Sequence, residues 1–242
     1  MAERDGMSQT DVVVYGIKKM ILDGDLAPGD QLPIEKDLAP RLGVSRSSLR
    51  EGVRALSIMG VLETRQGAGT FVTALDASLL LAPMGFVVDL QHSDGVTHVQ
   101  AVRRILETAA VARAAVRMGE DVMARAERIL DESALAVQKE PADHEVALEC
   151  DLRFHRLIAQ ASGNTVLEAL IEALSARTAR GRLWRSLADE RAAVATVDEH
   201  RGILAAIRVR DFEAAQVRMA NHLLSVEEFL ASRPPVGDGS AE

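Results

Sequence analysis

Leu-Gly-Val-Ser-Arg-Ser-Ser-Leu-Arg-Glu-Gly, residues 42–52, is the stretch of this sequence that decides the fold of the N-terminal third. Gly43 breaks the short helix before it, and Ser45 can cap a longer helix that runs to about Met59. Further along, Gln-Gly-Ala-Gly-Thr-Phe-Val at 66–72 predicts a glycine-rich loop between two short strands. Helix, tight turn, helix and hairpin follow in the order of a winged helix-turn-helix, a fold that reads duplex DNA.

The residues on either side complete the same unit. Val13, Ile17 and Met20 share one face of a first helix, as a packed amphipathic helix requires. The expected elements are that first helix, capped by Ser8 or Thr10, a second helix at about 34–42, and strands at 61–65 and 70–73. We therefore expect a winged helix-turn-helix domain over residues 8–75.

The composition favours helices in the rest of the chain. Of 242 residues, 48% are hydrophobic but only 3% are aromatic, so the core must consist mainly of Leu, Val, Ile, Ala and Met. The one cysteine excludes an internal disulfide and suits a reducing compartment. With no secretion signal and no long uncharged apolar run, we expect a cytoplasmic protein that does not enter a membrane.

Periodic apolar spacing extends from about residue 79 to residue 232, with no convincing strand. The predicted helices lie at 79–91, 96–117, 120–138, 143–162, 165–187, 190–209 and 211–231. The fold class is therefore mainly α: the winged helix-turn-helix is followed by an all-helical bundle of six or seven helices over 79–232. Residues 233–242 are rich in Pro, Gly and acidic side chains, which predicts a disordered tail.

The net charge of −8 is unevenly distributed. Residues 1–75 carry a net charge of −1, whereas residues 76–242 carry −7. Within 41–65, five Arg stand against two Glu. A local basic face can bind phosphates although the whole chain is acidic, because salt screens charges beyond about 8–10 Å.

Candidate DNA-binding side chains lie at the start of the longer helix and in the hairpin loop. An arginine fork matches the two acceptors of guanine, and loop glycines let backbone N–H groups approach the DNA backbone. Taken singly, each could be an ordinary solvated side chain, but their order along the chain favours DNA recognition. The candidates are Lys36, Ser45, Arg46, Ser47, Arg50, Gln66 and Gly67.

Four residues of the helical part have side chains suited to a metal. Asp151 and His155 are separated by one helical turn, and His200 and His222 lie on two other predicted helices. Three imidazoles and one carboxylate suit Zn, Ni, Mn or Fe. Spacing alone leaves open that these are surface histidines or hydrogen-bonded core histidines.

The N-terminal motifs closely resemble those of the GntR family of bacterial transcription regulators over residues 12–73. The resemblance implies a homodimer that reads a short palindromic operator, with Lys36, Arg46, Ser47, Arg50 and Gly67 at DNA-contact positions. Three departures stand out. Ile34 replaces the usual capping Ser, Lys36 replaces Arg, and Pro40 falls near the end of the second helix.

Residues 79–232 resemble the FCD ligand-binding domain of the FadR branch of that family, most specifically at Phe-His-Arg-Leu-Ile-Ala-Gln-Ala-Ser-Gly-Asn, residues 154–164. The resemblance implies a divalent ion, such as Zn, Ni or Mn, on Asp151, His155, His200 and His222. It also implies that Arg103 points into the same cavity and binds a small organic acid. The alternative for Arg103 is a surface ion pair with Glu107. The other histidines, His92, His98 and His144, match nothing, and we expect them to be exposed.

These features predict a bacterial, ligand-responsive transcriptional regulator, and not an enzyme. We expect it to be a repressor. Two alternatives remain at this stage. A metalloenzyme on the helical bundle would need a base beside the metal, and no motif such as His-Glu-x-x-His supports one. A purely structural DNA-binding protein would use the bundle only to dimerise, and its operator affinity would not respond to any metabolite.

Overall fold

The computed structural model describes residues 7–75 and 95–232, which form two compact units. The first unit contains three helices and one hairpin. Their bounds are α1 Gln9–Leu22, α2 Glu35–Leu42, α3 Arg46–Ile58, β1 Leu62–Arg65 and β2 Gly69–Val72. The winged helix-turn-helix predicted from the sequence is confirmed.

Local signals explain the helix bounds in this unit. Ser8 caps α1 in a capping box with Asp11, and the Ser45 side chain accepts a hydrogen bond from the Ser48 amide at the start of α3. The cap position of α2 is Ile34, which makes no side-chain cap hydrogen bond. Gly43 ends α2 in the left-handed region at φ 71°, where a residue without Cβ is favoured.

The hairpin closes against the helices. The two strands pair antiparallel, from Leu62 opposite Val72 to Arg65 opposite Gly69. Gln31 adds an isolated bridge to Phe71. One apolar cluster joins all these elements, so the hairpin and the α2–α3 pair form one body. It includes Val13, Ile17, Leu38, Leu49, Leu56, Leu62 and Val72.

The second unit contains six helices among residues 95–232. Their bounds are α4 Gly95–Arg117, α5 Glu120–Val137, α6 His144–Ala161, α7 Thr165–Ala188, α8 Glu190–Arg208 and α9 Phe212–Ala231. These agree closely with the predicted segments, and the mainly α fold class is confirmed. The predicted helix at 79–91 and the tail at 233–242 lie outside the described residues.

Packing in the second unit brings distant parts of the chain together. Helix α4 lies against α6, α7 and α9, and α8 lies against α5 and α9. The apolar core includes Val111, Met118, Phe154, Ile158, Ile203, Ile207 and Met219. Polar side chains from α4, α6, α7, α8 and α9 meet inside it. None of the helices in the described ranges is long and apolar enough to cross a bilayer.

Candidate metal centre and nucleic-acid interface

Asp151, His155, His200 and His222 converge in the interior of the helical unit. All four are buried, and one ligand atom from each lies within 4.8 Å of the others. Asp151 Oδ1 is 3.6 Å from His155 Nε2 and 3.6 Å from His200 Nε2. His200 Nε2 and His222 Nε2 are 3.2 Å apart. The packing of α6, α8 and α9 thus brings together the four residues singled out from the sequence.

In two of the three imidazoles, a carboxylate contacts the ring nitrogen on the far side from the cluster. His155 Nδ1 contacts Glu107 Oε2, and His222 Nδ1 lies 2.7 Å from Glu199 Oε2. A carboxylate on the distal nitrogen fixes the ring and its tautomer, which is how metal-binding histidines are usually oriented. His155 Nε2 is buried and makes no hydrogen bond. A buried ring nitrogen without a partner leaves a position that a cation could take, so the donor set fits a bound cation.

Electrostatics keeps two of the imidazoles neutral. Burial, with repulsion from neighbouring imidazoles, lowers the pKa of His200 well below its ordinary value and lowers the pKa of His222 to about 3. Burial also opposes charge on His155, but Glu107 and Asp151 outweigh it and raise the pKa of this imidazole. A neutral imidazole has a free lone pair, which a metal requires.

Asp151 is the anion of the cluster. Burial disfavours its charge, but the Arg182 guanidinium and the imidazoles outweigh that effect and hold the pKa of the carboxyl well below its usual range. Arg182 Nη1 contacts Asp151 Oδ2, which leaves Oδ1 towards the histidines. Sequence reasoning did not find Arg182, because nothing in its local sequence marks it as the partner of a residue 31 positions away.

Arg103 is fully buried, and its ion pair with Glu107 lies in the interior instead of on the surface. Arg103 Nε donates to Glu107 Oε1 at 2.8 Å, and Nη1 donates to Thr178 Oγ1 at 2.6 Å. Glu107 therefore links this arginine to His155. Sequence reasoning proposed Glu107 only as the surface partner of Arg103 and missed its contact with the imidazole.

A cavity of about 40 Å³ adjoins the cluster. Asp151, Arg182 and His222 line its inner side, and its other walls include His144, Arg185, Ser186 and Thr196. His144 is half-buried, and its Nδ1 lies 2.6 Å from Ser186 Oγ. The expectation that His144 is exposed is therefore wrong, since the packing of α6 on α7 covers it. His98 is exposed, as expected, and His92 lies outside the described residues.

The candidate DNA-binding residues share one property in the first unit. All seven are exposed: Lys36, Ser45, Arg46, Ser47, Arg50, Gln66 and Gly67. Arg46, Ser47 and Arg50 lie on the first turns of α3, whose N-terminus would face a major groove. Arg50 Nε donates to both oxygens of Glu35, at 2.8 and 3.0 Å. Glu35 was not among the sequence candidates, and its contact orients the guanidinium.

Comparison with known proteins assigns both units. Residues 9–72 match the family described as bacterial regulatory proteins, gntR family, and residues 98–225 match the FCD domain. The chain is 31% identical over 219 residues to the HTH-type transcriptional regulator LutR of Bacillus subtilis, covering 88% of this chain and 96% of that protein. It is 30% identical over 219 residues to the galactonate operon transcriptional repressor of Escherichia coli, covering 87% and 91%.

A solved structure supports the same assignment. The Streptococcus agalactiae GntR structure superposes with a TM-score of 0.71 at 27% identity, covering 90% of this chain and 99% of that one. The two units and their order define a DNA-binding transcriptional regulator with a helical FCD domain, and not an enzyme. The chain belongs to the GntR family, in the FadR-type branch that joins the DNA-binding head to an FCD domain.

Proposed function

We propose that this protein is a cytoplasmic, metal-containing repressor whose affinity for DNA responds to a small organic acid. The observation that carries the proposal is the buried set of three imidazoles and one carboxylate. Such a set is costly to bury unless it holds a cation, and it matches Zn, Ni or Mn.

The chain's own residues would hold the ion and prepare the site for an acid. Asp151, His155, His200 and His222 are the proposed ligands, and Glu107 and Glu199 keep two of the imidazoles in position. A divalent ion bound there supplies a position to which a carboxylate oxygen can coordinate. The surrounding apolar core limits the access of water, and the adjoining cavity is the proposed route for the acid.

Arg103 is the proposed second contact for the acid. Its Nη2 makes no hydrogen bond, although it lies 2.6 Å from Glu107 Oε1. Since Glu107 also contacts His155, an acid that draws Arg103 away from Glu107 would change the carboxylate that orients a proposed metal ligand. This is a physical connection between acid binding and the helix α6.

DNA binding is proposed for the exposed face of the first unit, with Arg46 and Arg50 reading guanines and Lys36 contacting a phosphate or a base. We further propose that the protein is a homodimer on a short palindrome, because two heads related by a two-fold axis require two matching half-sites. Repression is supported by the relative that is named as the repressor of a galactonate operon.

Elemental analysis tests the metal site. Purified full-length protein should carry about one divalent ion per chain, while His200→Ala and His222→Ala should carry little and should melt at lower temperature. His98→Ala, at an exposed histidine, is the matched control and should keep its metal. A wild type that purifies without metal and cannot be loaded with Zn, Ni or Mn would refute the proposal.

A further inference from the structure

Two arginines of one helix line the cavity beside the four-residue cluster. Arg182 and Arg185 both lie on α7 and are one turn apart, so their side chains share a face. Both line the cavity. Their charge partners differ, and that difference bears on which acids the cavity can accept.

The inner guanidinium is already paired. Arg182 Nη1 contacts Asp151, and Nη2 donates to the Ser175 carbonyl at 2.8 Å. Its Nε is buried and has no partner. Arg182 therefore compensates the charge of Asp151 and keeps one donor unused beside the cluster.

The outer guanidinium, of Arg185, contacts hydroxyl groups and forms no direct ion pair with a described carboxylate. Arg185 Nη1 and Nη2 each lie 3.3 Å from a hydroxyl oxygen, of Thr196 and Ser225 respectively. Both hydroxyls donate their own protons to backbone carbonyls, so they can only accept from Arg185. Among the described side chains of residues 7–75 and 95–232, Arg185 forms no ion pair within 4 Å. Glu199 interacts with its charge from further away: burial raises the pKa of the Glu199 carboxyl, Arg185 partly offsets that rise, and the carboxylate itself contacts His222. A half-buried cation without a direct ion pair is a feature that an anionic ligand would complete.

We infer that Arg185 binds a second acidic group of the effector, which makes the effector a short dicarboxylic acid. This inference rests on the proposed function, in which the first carboxylate meets the cluster. The second carboxylate then meets Arg185, whose planar fork can bind it through two parallel hydrogen bonds. Ser186 and His144 lie on the same wall and add polar contacts.

The size of the cavity limits the length of the acid. A cavity of about 40 Å³ has room for roughly three water molecules, since one water needs about 10–15 Å³ by this measure. The cavity therefore favours a short, compact acid over a bulky ligand.

Calorimetry on the full-length, zinc-loaded protein tests the inference. The probes are malonate, succinate and glutarate, each compared with the monocarboxylate of equal carbon number: propionate, butyrate and valerate. At least one dicarboxylate should bind more tightly than its partner by about tenfold or more, as a charge-assisted hydrogen bond predicts. Arg185→Gln should abolish that preference without loss of zinc.

The matched control is Arg180→Gln, at an exposed arginine on the same helix, which should keep the preference. If Arg185 only ties α7 to α8 and α9, its loss will lower thermal stability but leave the ratio of affinities unchanged. That result, or equal binding of the two acids by wild type, overturns the inference while the metal site and the effector role stand. Binding of none of the six acids by protein shown to contain zinc would overturn the inference and the proposed effector role together.

Discussion

At the scale of single residues, the buried histidines of the sensor unit differ in proton affinity because their neighbours differ. Burial lowers the pKa of all three rings, and neighbouring imidazoles lower it further at His200 and His222. At His155, Glu107 and Asp151 outweigh burial and raise the pKa. An unfolded histidine takes up a proton near pH 6.5 whatever its position in the chain. Folding therefore changes the proton uptake of each ring in a known direction.

The stability of metal-stripped protein should fall as pH drops from 6 to 5. Unfolded His200 and His222 bind protons in this window, and the folded rings, whose pKa values are lowered, do not. Their contribution is therefore complete above about pH 6.5 and is lost as pH falls below it, towards about 3 for His222. His155 acts oppositely: its contribution is complete below about pH 6.5 and is lost as pH rises through its raised pKa. Each ring that stays neutral should contribute a slope of about 1.4 kcal/mol per pH unit.

Urea unfolding at pH 6.0, 5.5 and 5.0 measures that slope. His222→Gln removes one of the two rings that resist protonation and should roughly halve it. His98→Gln, at an exposed ring, should leave it unchanged. A wild-type stability that is flat over this range would contradict the assigned charge states.

Arg46→Ala and Arg50→Ala should each weaken operator binding by about 1–3 kcal/mol, if each guanidinium makes a bidentate contact with a base. Fluorescence anisotropy at fixed salt gives the measurement. Lys19→Ala is the control, because Lys19 is an exposed cation of α1 already paired with Asp23 at 2.5 Å. Unchanged affinity in both arginine variants would remove α3 from the interface.

The sequence predicted the four residues of the cluster but not the residues that support them. Asp151 and His155 stand one turn apart, but only the resemblance to the FCD domain joined them to His200 and His222. The partners Glu107 and Arg182 lie 48 and 31 residues from the groups they contact, and only the packing of α4 and α7 on α6 brings them there. Arg103 and Glu107 were correctly paired from their spacing, but burial depends on that same packing.

At the scale of elements, α2 is the weakly specified helix of the DNA-binding head. Its cap residue Ile34 has the extended backbone that a cap requires, with ψ 152°, yet its side chain is 62% exposed and makes no cap hydrogen bond. Pro40 lies inside the helix, where it cannot donate a backbone hydrogen bond. Since α2 supports α3, the stability of the head depends on it.

Ile34→Ser should stabilise the head by about 1 kcal/mol, because a hydroxyl can accept from an unpaired amide of the first turn. Ser45→Ala should destabilise it by a similar amount, about 1 kcal/mol, because Ser45 Oγ accepts from the Ser48 amide in the structure. Urea unfolding of the two variants against wild type compares the effects directly. A loss of stability in Ile34→Ser would mean that the isoleucine side chain contributes more to packing than a cap would to the helix.

The helix bounds were predictable because residues that commonly cap helices stand at the first position of many of them. Ser8, Ser45, Asp143, Asn164 and Asp211 all accept hydrogen bonds from first-turn amides. The neighbours of each helix were not predictable, since α4 and α9 both present apolar residues and nothing in their local sequence selects one partner over another.

At the scale of the whole molecule, the chain combines a DNA-binding head with an acidic FCD domain. The net charge of −1 over residues 1–75 and −7 over residues 76–242 keeps most repulsion towards DNA outside the head. Binding that rests on contacts with phosphates weakens as salt rises, with a slope set by the number of those contacts. These features are consistent with two weak heads acting together.

The protein should be a dimer at micromolar concentration and should bind one operator as a dimer. Sedimentation equilibrium gives the mass in solution, and titration of a palindrome against a single half-site gives the stoichiometry. The palindrome should bind far more tightly, because the second head binds in an intramolecular step. Monomers that bind one per operator would contradict this expectation.

Operator affinity measured in four states tests most directly the proposed coupling between acid binding in the helical unit and DNA binding by the head. Metal-loaded and metal-stripped wild type are each titrated with operator in the absence and presence of a saturating carboxylic acid, namely whichever of the six acids binds the zinc-loaded protein most tightly. The acid should change the affinity of the loaded protein by about fivefold or more and leave the stripped protein and His200→Ala unchanged. An equal change in loaded and stripped protein, or none in either, would contradict control of DNA binding through the four-residue cluster.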